Sequence, residues 1–303
     1  MNKILVWLAA PRPQFFTAAV VPVALGAAVA FNGAGSIDWG LFWLTMAGAV
    51  LSQAGLNLTN DYYDFKSGDD VVNKTPTPFS GGSRVLTRGL LKPREVLAAG
   101  LLCFAATAAI GFYLVFLVKG YILIAIGALG IFLAFFYTAG PFKIGYTRFA
   151  EVATGIGFGP LMVVGSYYVQ ARRLAWEPFW ASVPVAILIA LVLYINEFPD
   201  YEADSASGKN NTVVSIGRKK AAGYYALLML SAYIAAATGA ITGIFPGLSL
   251  ITAATFPLAA IAIKTARAHY DNVRELLPAN ALTVAVHFVF GMLLTMSYVW
   301  GRK

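Results

Sequence analysis

The chain has one cysteine, Cys103, so it can close no internal disulfide; it lies in an apolar run, where it reads as a small packing side chain. Its two histidines, His269 and His287, are too far apart and too isolated to suggest a metal-ligand pair, which leaves a structural or surface role for each. Charge is scarce for so long a chain: 12% of residues are charged and 59% are hydrophobic, against about 25% charged in a soluble domain. This balance excludes an ordinary water-soluble globule and points to a bilayer protein. No soluble domain or low-complexity linker is visible. The first apolar stretch is short, breaks at Pro11-Arg12-Pro13 and lacks a small-residue cleavage pattern, so no removed signal peptide is expected.

What the sequence does have is long apolar runs. At about 20 apolar residues per crossing, nine spans are expected, near residues 14–31, 39–61, 93–115, 120–138, 149–169, 179–200, 217–240, 247–266 and 278–300. The expected fold is therefore an all-α membrane protein, a bundle of about nine transmembrane helices, with residues 1–303 forming one transmembrane domain. Pro22, Pro160, Pro184 and Pro257 fall inside spans, where neighbouring helices can compensate for lost backbone hydrogen bonds, and kinks are plausible there.

The net charge of +8 is a matter of topology rather than of nucleic acid, for which no partner role is expected. Of the 22 basic residues, one side of the predicted bundle holds only Lys119, Arg172, Arg173, Arg302 and Lys303; the rest lie in the connections on the N-terminal side. The positive-inside rule puts that side, with the longest polar segments at 66–94 and 201–220, in the cytoplasm of a multi-pass cell-membrane protein. Each of the two segments follows a helix ending in carboxylates, and the two helices are four spans apart, a hint of internal duplication.

The first acidic cluster reads Asn57-Leu-Thr-Asn60-Asp61-Tyr62-Tyr63-Asp64-Phe-Lys66-Ser-Gly68-Asp69-Asp70. On a helix, Asn57, Asp61 and Asp64 fall at i, i+4 and i+7, along one face. The second reads Asn196-Glu197-Phe-Pro199-Asp200-Tyr201-Glu202-Ala-Asp204, with Asn196, Asp200 and Asp204 at i, i+4 and i+8. Carboxylates at the edge of an apolar bundle repel one another and are expensive to desolvate. A hard divalent cation resolves both difficulties, and Mg²⁺ takes one or two carboxylates while sharing its other positions with water and phosphate oxygens. Two such stripes at one face could hold a diphosphate between them. Glu197, Glu202, Asp69 and Asp70 lie beside the stripes, where a solvated face is the expectation. Among the loop cations, Arg84, Lys143 and Lys209 are the candidates for phosphate, and the ring of Tyr137 could face a carbocation or serve as an interfacial anchor.

These segments closely resemble the UbiA family of intramembrane prenyltransferases, whose signatures are approximately N-D-x-x-D-x-x-x-D and D-x-x-x-D. Asn60-Asp61-Tyr-Tyr-Asp64 matches the start of the first and Asp200-Tyr-Glu-Ala-Asp204 the second. Gly68 stands where the first signature has its third Asp, with Asp69 and Asp70 close enough to substitute. Arg12-Pro-Gln-Phe-Phe-Thr, Tyr137-Thr-Ala-Gly-Pro-Phe-Lys143-Ile-Gly-Tyr146, Glu151 with Gly159-Pro160, Tyr167-Tyr168-Val-Gln170 and Asp204-Ser-Ala-Ser-Gly208-Lys209-Asn-Asn-Thr212 look like the 1,4-dihydroxy-2-naphthoate, or menaquinone, branch; Pro199, where that branch often has Arg, departs from it.

The resemblance implies helices around a central cavity capped by cytoplasmic loops, with a prenyl diphosphate and an aromatic acceptor as substrates. Mg²⁺ would sit on Asp61, Asp64, Asp200 and Asp204, assisted by Asn57 or Asn60. Arg84, Lys143 and Lys209 would neutralise the diphosphate while Tyr137 faces the allylic cation. Other acceptors remain open, namely 4-hydroxybenzoate, homogentisate, a chlorophyllide or a prenylated glycerol phosphate, as does an ion-coupled transporter, whose carboxylates more often lie near mid-membrane.

Overall fold

The computed structural model describes residues 2–301; Arg302 and Lys303, counted above for topology, lie outside the described residues. Its elements are α1 (Lys3–Ala9), α2 (Thr17–Ala34), α3 (Trp39–Ser67), α4 (Asp69–Val72), α5 (Pro93–Val118), α6 (Ile122–Phe135), α7 (Ala150–Ile156), α8 (Met162–Ala171), α9 (Trp176–Ser207), α10 (Thr212–Ile216), α11 (Arg218–Ile241), α12 (Phe256–His269) and α13 (Val273–Trp300). Among the described residues there is no strand. Eight helical stretches among the described residues are long and apolar enough to cross a membrane, and α6 is a shorter apolar helix. The nine expected spans thus all appear as helical segments. Two are interrupted: a π turn at Gly157–Leu161, containing Pro160, joins α7 to α8, and a 3₁₀ stretch at Gly247–Thr255 leads into α12. The π turn falls at Pro160, whose ring nitrogen cannot donate to the preceding turn.

The two acidic spans run further than the apolar runs foretold. Apolar content drops at Asp61, yet α3 continues through Ser67, and α9 continues through Ser207. Both stop for the same reason. Gly68 and Gly208 adopt φ of 88° and 79°, a left-handed conformation that glycine adopts without strain. Each is followed by a short helix, α4 or α10, so the two carboxylate-bearing units share one local plan.

The buried core gathers α2, α9, α11 and α13 around Leu25, Leu188, Leu191, Tyr225, Phe290 and Leu294. On α5, by contrast, Leu101, Leu102, Phe112 and Phe116 are exposed, as are Ile124, Leu129 and Phe132 on α6, the apolar surface that lipid would cover. Helices in lipid gain little from hydrophobic burial against one another, so close approach and interhelical hydrogen bonds matter more. Ser166 Oγ donates to the Val23 carbonyl at 2.7 Å, and Asn32 Nδ2 to that of Tyr298 at 2.7 Å. At Gly26 the α2 and α8 backbones meet so closely that a Cβ would stand 2.3 Å from the Val163 carbonyl oxygen.

Gly26→Ala is therefore expected to lower the thermal unfolding midpoint in detergent, by the equivalent of about 1–3 kcal/mol of overpacking. Gly223→Ala, where a Cβ would meet nothing within 4 Å, should leave the midpoint unchanged.

Candidate active site

The ends of α3 and α9 that carry the acidic stripes come together, and the turns at Gly68 and Gly208 fold the following residues back over them. Asp61, Asp64 and Asp204 are buried and Asp200 is half-buried. Asp69 and Asp70, expected on a solvated face, are buried too, at 5% and 7% exposure. The reversal of direction at Gly68 is the reason: it turns α4 inward, so the glycine in place of a third Asp brings two carboxylates into the site. Glu197 is likewise buried, and of the four flanking carboxylates only Glu202 keeps the expected position, its side chain 81% exposed and paired with Arg218 at 2.6 Å.

Carboxylate oxygens of Asp64, Asp69 and Asp70 lie within 4.8 Å of one another. Burial, then the neighbouring carboxylates Asp64 and Asp61, push the Asp70 carboxyl up to about 8. All-oxygen, anionic and crowded, this donor set suits a hard divalent cation, which would relieve the repulsion that otherwise favours a proton.

Lys209, the residue after Gly208, carries the compensating charge. Its ammonium contacts Asp69, the residue after Gly68, and lies 3.1 Å from Asp64 and 3.5 Å from Asp204. Burial alone would lower its proton affinity, but Asp64, Asp204 and Asp69 outweigh burial and hold it well above the ordinary lysine range. Tyr146 braces the same carboxylate, its hydroxyl donating to Asp64 Oδ1 at 3.0 Å.

The other aspartates are held from the N-terminus and the loop before α5. Asp61 accepts from the Ser83 hydroxyl and, at 3.2 Å, from the Ser83 backbone N–H; Arg12 approaches it at 3.4 Å. Asp200 accepts from Asn73 Nδ2 at 2.7 Å and from the Gly81 N–H at 3.1 Å, and Asp204 from Asn211 Nδ2 at 2.7 Å. Gly82 lets the loop lie this close, because a Cβ there would stand 2.6 Å from Asp70 Oδ2.

The remaining predicted residues divide. Asn60 bridges Arg12, whose Nη2 donates to Oδ1 at 2.8 Å, and Asp64, to which Nδ2 donates at 3.0 Å. Asn57 donates to the Pro11 carbonyl at 2.6 Å, pinning the turn that carries Arg12. Arg84 turns back to its own loop, Nε donating to Thr87 Oγ1 at 3.0 Å. Lys143 is exposed, its Nζ 5.1 Å from the centroid of the Tyr146 ring; Lys209 lies 5.0 Å from the same ring. Arg12, Asn73, Ser83, Tyr146 and Asn211 are site residues that the sequence does not single out. Only Arg12, Tyr146 and Asn211 carry a signal there, lying within the segments that resemble the family.

Two cavities meet beneath this cluster. A polar one of about 170 Å³ is lined by Asp64, Asp69, Asp70, Asp200, Asp204 and Lys209 among others. An apolar one of about 400 Å³ runs from Tyr137 to Thr45, Leu114 and Val169, between α3, α5, α6 and the α7–α8 segment. Leu56, Tyr137, Thr154 and Phe158 line both.

The sequence profile of the UbiA prenyltransferase family matches residues 19–290. The chain belongs to that family. It is 30% identical to a 2-carboxy-1,4-naphthoquinone phytyltransferase of Synechocystis sp., over 97% of this chain and 93% of that protein. It is also 31% identical to a 1,4-dihydroxy-2-naphthoate octaprenyltransferase of Bacillus subtilis, over 77% of this chain and 72% of that one. A UbiA homologue from Archaeoglobus fulgidus, solved with DMAPP and Mg²⁺, shares the fold with a TM-score of 0.66 at 16% identity, covering 96% of this chain and 99% of that structure.

Asp70→Asn is expected to weaken Mn²⁺ binding, followed by electron paramagnetic resonance on detergent-purified protein, by about tenfold or more. Glu202→Gln, on the exposed carboxylate, should leave that affinity unaltered.

Proposed function

We propose that the protein transfers a prenyl chain from a polyprenyl diphosphate to an aromatic ring, with 1,4-dihydroxy-2-naphthoate as acceptor, in menaquinone biosynthesis, and that the whole chain acts as one such unit. The observation that carries the reading is the shared wall between the acidic and apolar cavities, which suits an amphiphile with an anionic head and a hydrocarbon tail. The acceptor assignment draws on the names of the relatives from Synechocystis and Bacillus.

On this reading Asp61, Asp64, Asp200 and Asp204 hold Mg²⁺, joined by Asp69 and Asp70. Bound Mg²⁺ would act as a Lewis acid that stabilises the departing diphosphate. Lys209 adds a fixed positive charge at the same place, and preorganised charge of this kind is often the largest catalytic contribution. Arg12, with Asn57 and Asn60, positions the head from the α3 side, while Lys143 and Arg84 contribute charge from the rim. The tail lies in the apolar cavity, whose walls favour it and keep water from the allylic cation. Tyr137, at the junction, presents its ring to that cation. Lys74, Arg88, Lys92 and Arg94 follow the first carboxylate helix and Arg218, Lys219 and Lys220 the second, which supports a membrane orientation with the site toward the cytoplasm.

Purified protein in lipid with Mg²⁺, geranylgeranyl diphosphate and a panel of hydroxylated aromatic acids should yield prenylated dihydroxynaphthoate product by mass spectrometry, and EDTA should abolish it. Product with another acceptor alone would overturn the acceptor assignment, and no product with any would overturn the reading. Lys209→Met should reduce kcat/KM by about 100-fold or more, whereas Lys143→Met should cost less than about tenfold.

A further inference from the structure

A second set of carboxyl groups lies on α7 and α9, with Glu197 lining the same polar cavity as the aspartates. Glu151, on α7, and Glu197, on α9, are 9% and 5% exposed, and Glu197 lies within hydrogen-bonding reach of Glu151. Among the described residues neither forms an ion pair with a lysine or arginine. The backbone N–H of Val213 reaches Glu197, but Glu197 Oε2 and both oxygens of Glu151 have no donor. Two buried carboxylates cannot donate to each other; one proton held between them makes the contact favourable, and the pair then carries a single negative charge.

The position of the pair distinguishes it from structural polar residues of the core. Glu197 lines the polar cavity, and Thr154, one turn along α7 from Glu151, lines both cavities beside Tyr137. Tyr137 faces both glutamates electrostatically. Glu197 therefore lies next to the place where head and tail of a prenyl diphosphate would join, on the α9 side of the polar cavity, with Glu151 behind it on α7. Ile189, Val192 and Phe158 wall this part of the cavity, and apolar walls suit the faces of a ring.

We propose that Glu197 is the group that takes the hydroxyl proton of the acceptor ring, and that Glu151 positions it by sharing its proton. This rests on the prenyl-transfer reading and supplies the base that the aspartates, committed to cation and diphosphate, do not. The ring hydroxyl gives its proton to Glu197, leaving both carboxyls neutral. The electron-rich ring carbon bonds to C1 of the prenyl chain as the C1–O bond breaks and diphosphate departs with that electron pair, leaving a keto form of the ring. On a ring carboxylated at that carbon, CO₂ then leaves. The electrons of the broken C–C bond restore aromaticity, and the ring oxygen recovers the borrowed proton from Glu197. The pair returns to its singly protonated state.

The test compares wild type, Glu197→Gln, Glu151→Gln and Glu151→Asp as full-length protein in lipid, with Mg²⁺, geranylgeranyl diphosphate and dihydroxynaphthoate. Glu197→Gln is expected to lower kcat for transfer about 100-fold or more, with the KM for prenyl diphosphate within about threefold of wild type and release of prenyl alcohol retained. A ring-fluorinated acceptor, whose hydroxyl is more acidic, should lose less with the variant than the parent ring does. Glu151→Gln should show a smaller loss of the same kind, restored at least in part by Glu151→Asp. An active wild type with unaltered kcat in Glu197→Gln, or equal losses for both acceptors, would overturn the inference alone. A wild type that makes no product with any acceptor would overturn the prenyl-transfer reading and the inference with it.

Discussion

The contact between Asp69 and Lys209 is the point on which the site depends. Each residue follows a glycine that ends a carboxylate-bearing helix. Without a cation at its centre, the gathering of Asp64, Asp69, Asp70, Asp200 and Asp204 at the end of an apolar bundle would be pushed apart by its own charge. Lys209 holds the two halves together, and Arg12 does the same for Asp61 from the N-terminal turn. Loop, helix ends and N-terminus are thus tied to one charge balance, and the cavities beneath take their shape from it.

Much of this is legible in the residues alone. Apolar runs locate the spans, because a bilayer demands long apolar segments whose backbone groups are satisfied by helical hydrogen bonds, and the carboxylate spacing puts Asp61 and Asp64, then Asp200 and Asp204, on the inward faces of α3 and α9. The same hydropathy underestimates where those helices end, since α3 runs on to Ser67 under its capping glycine rather than stopping where apolar content falls. Asp69 and Asp70 illustrate what spacing cannot convey: their burial follows from a reversal at Gly68, and helical periodicity carries no information beyond a helix end.

The loop cations show the same limit. Arg84, Lys143 and Lys209 look alike as positive charges near an acidic motif, yet only Lys209 reaches the carboxylates. Arg84 donates to Thr87 within its own loop, and Lys143 is exposed beside the Tyr146 ring that Lys209 also approaches. Ser83 and Asn73 hold aspartates more than a hundred residues away or across a helix end, contacts that no local pattern announces. The Glu151–Glu197 pair is legible only once α7 and α9 are seen side by side.

The two cavities touch at Leu56, Tyr137, Thr154 and Phe158 and nowhere share a charged residue. On the proposed reading this divides inheritance as well as space. Substitutions at Thr45, Leu114 or Val169, at the remote end of the apolar cavity, could lengthen or shorten the accepted tail while the bond-making end stayed as it was. A lineage could then change the lipid it makes through mutations that its catalytic residues never experience.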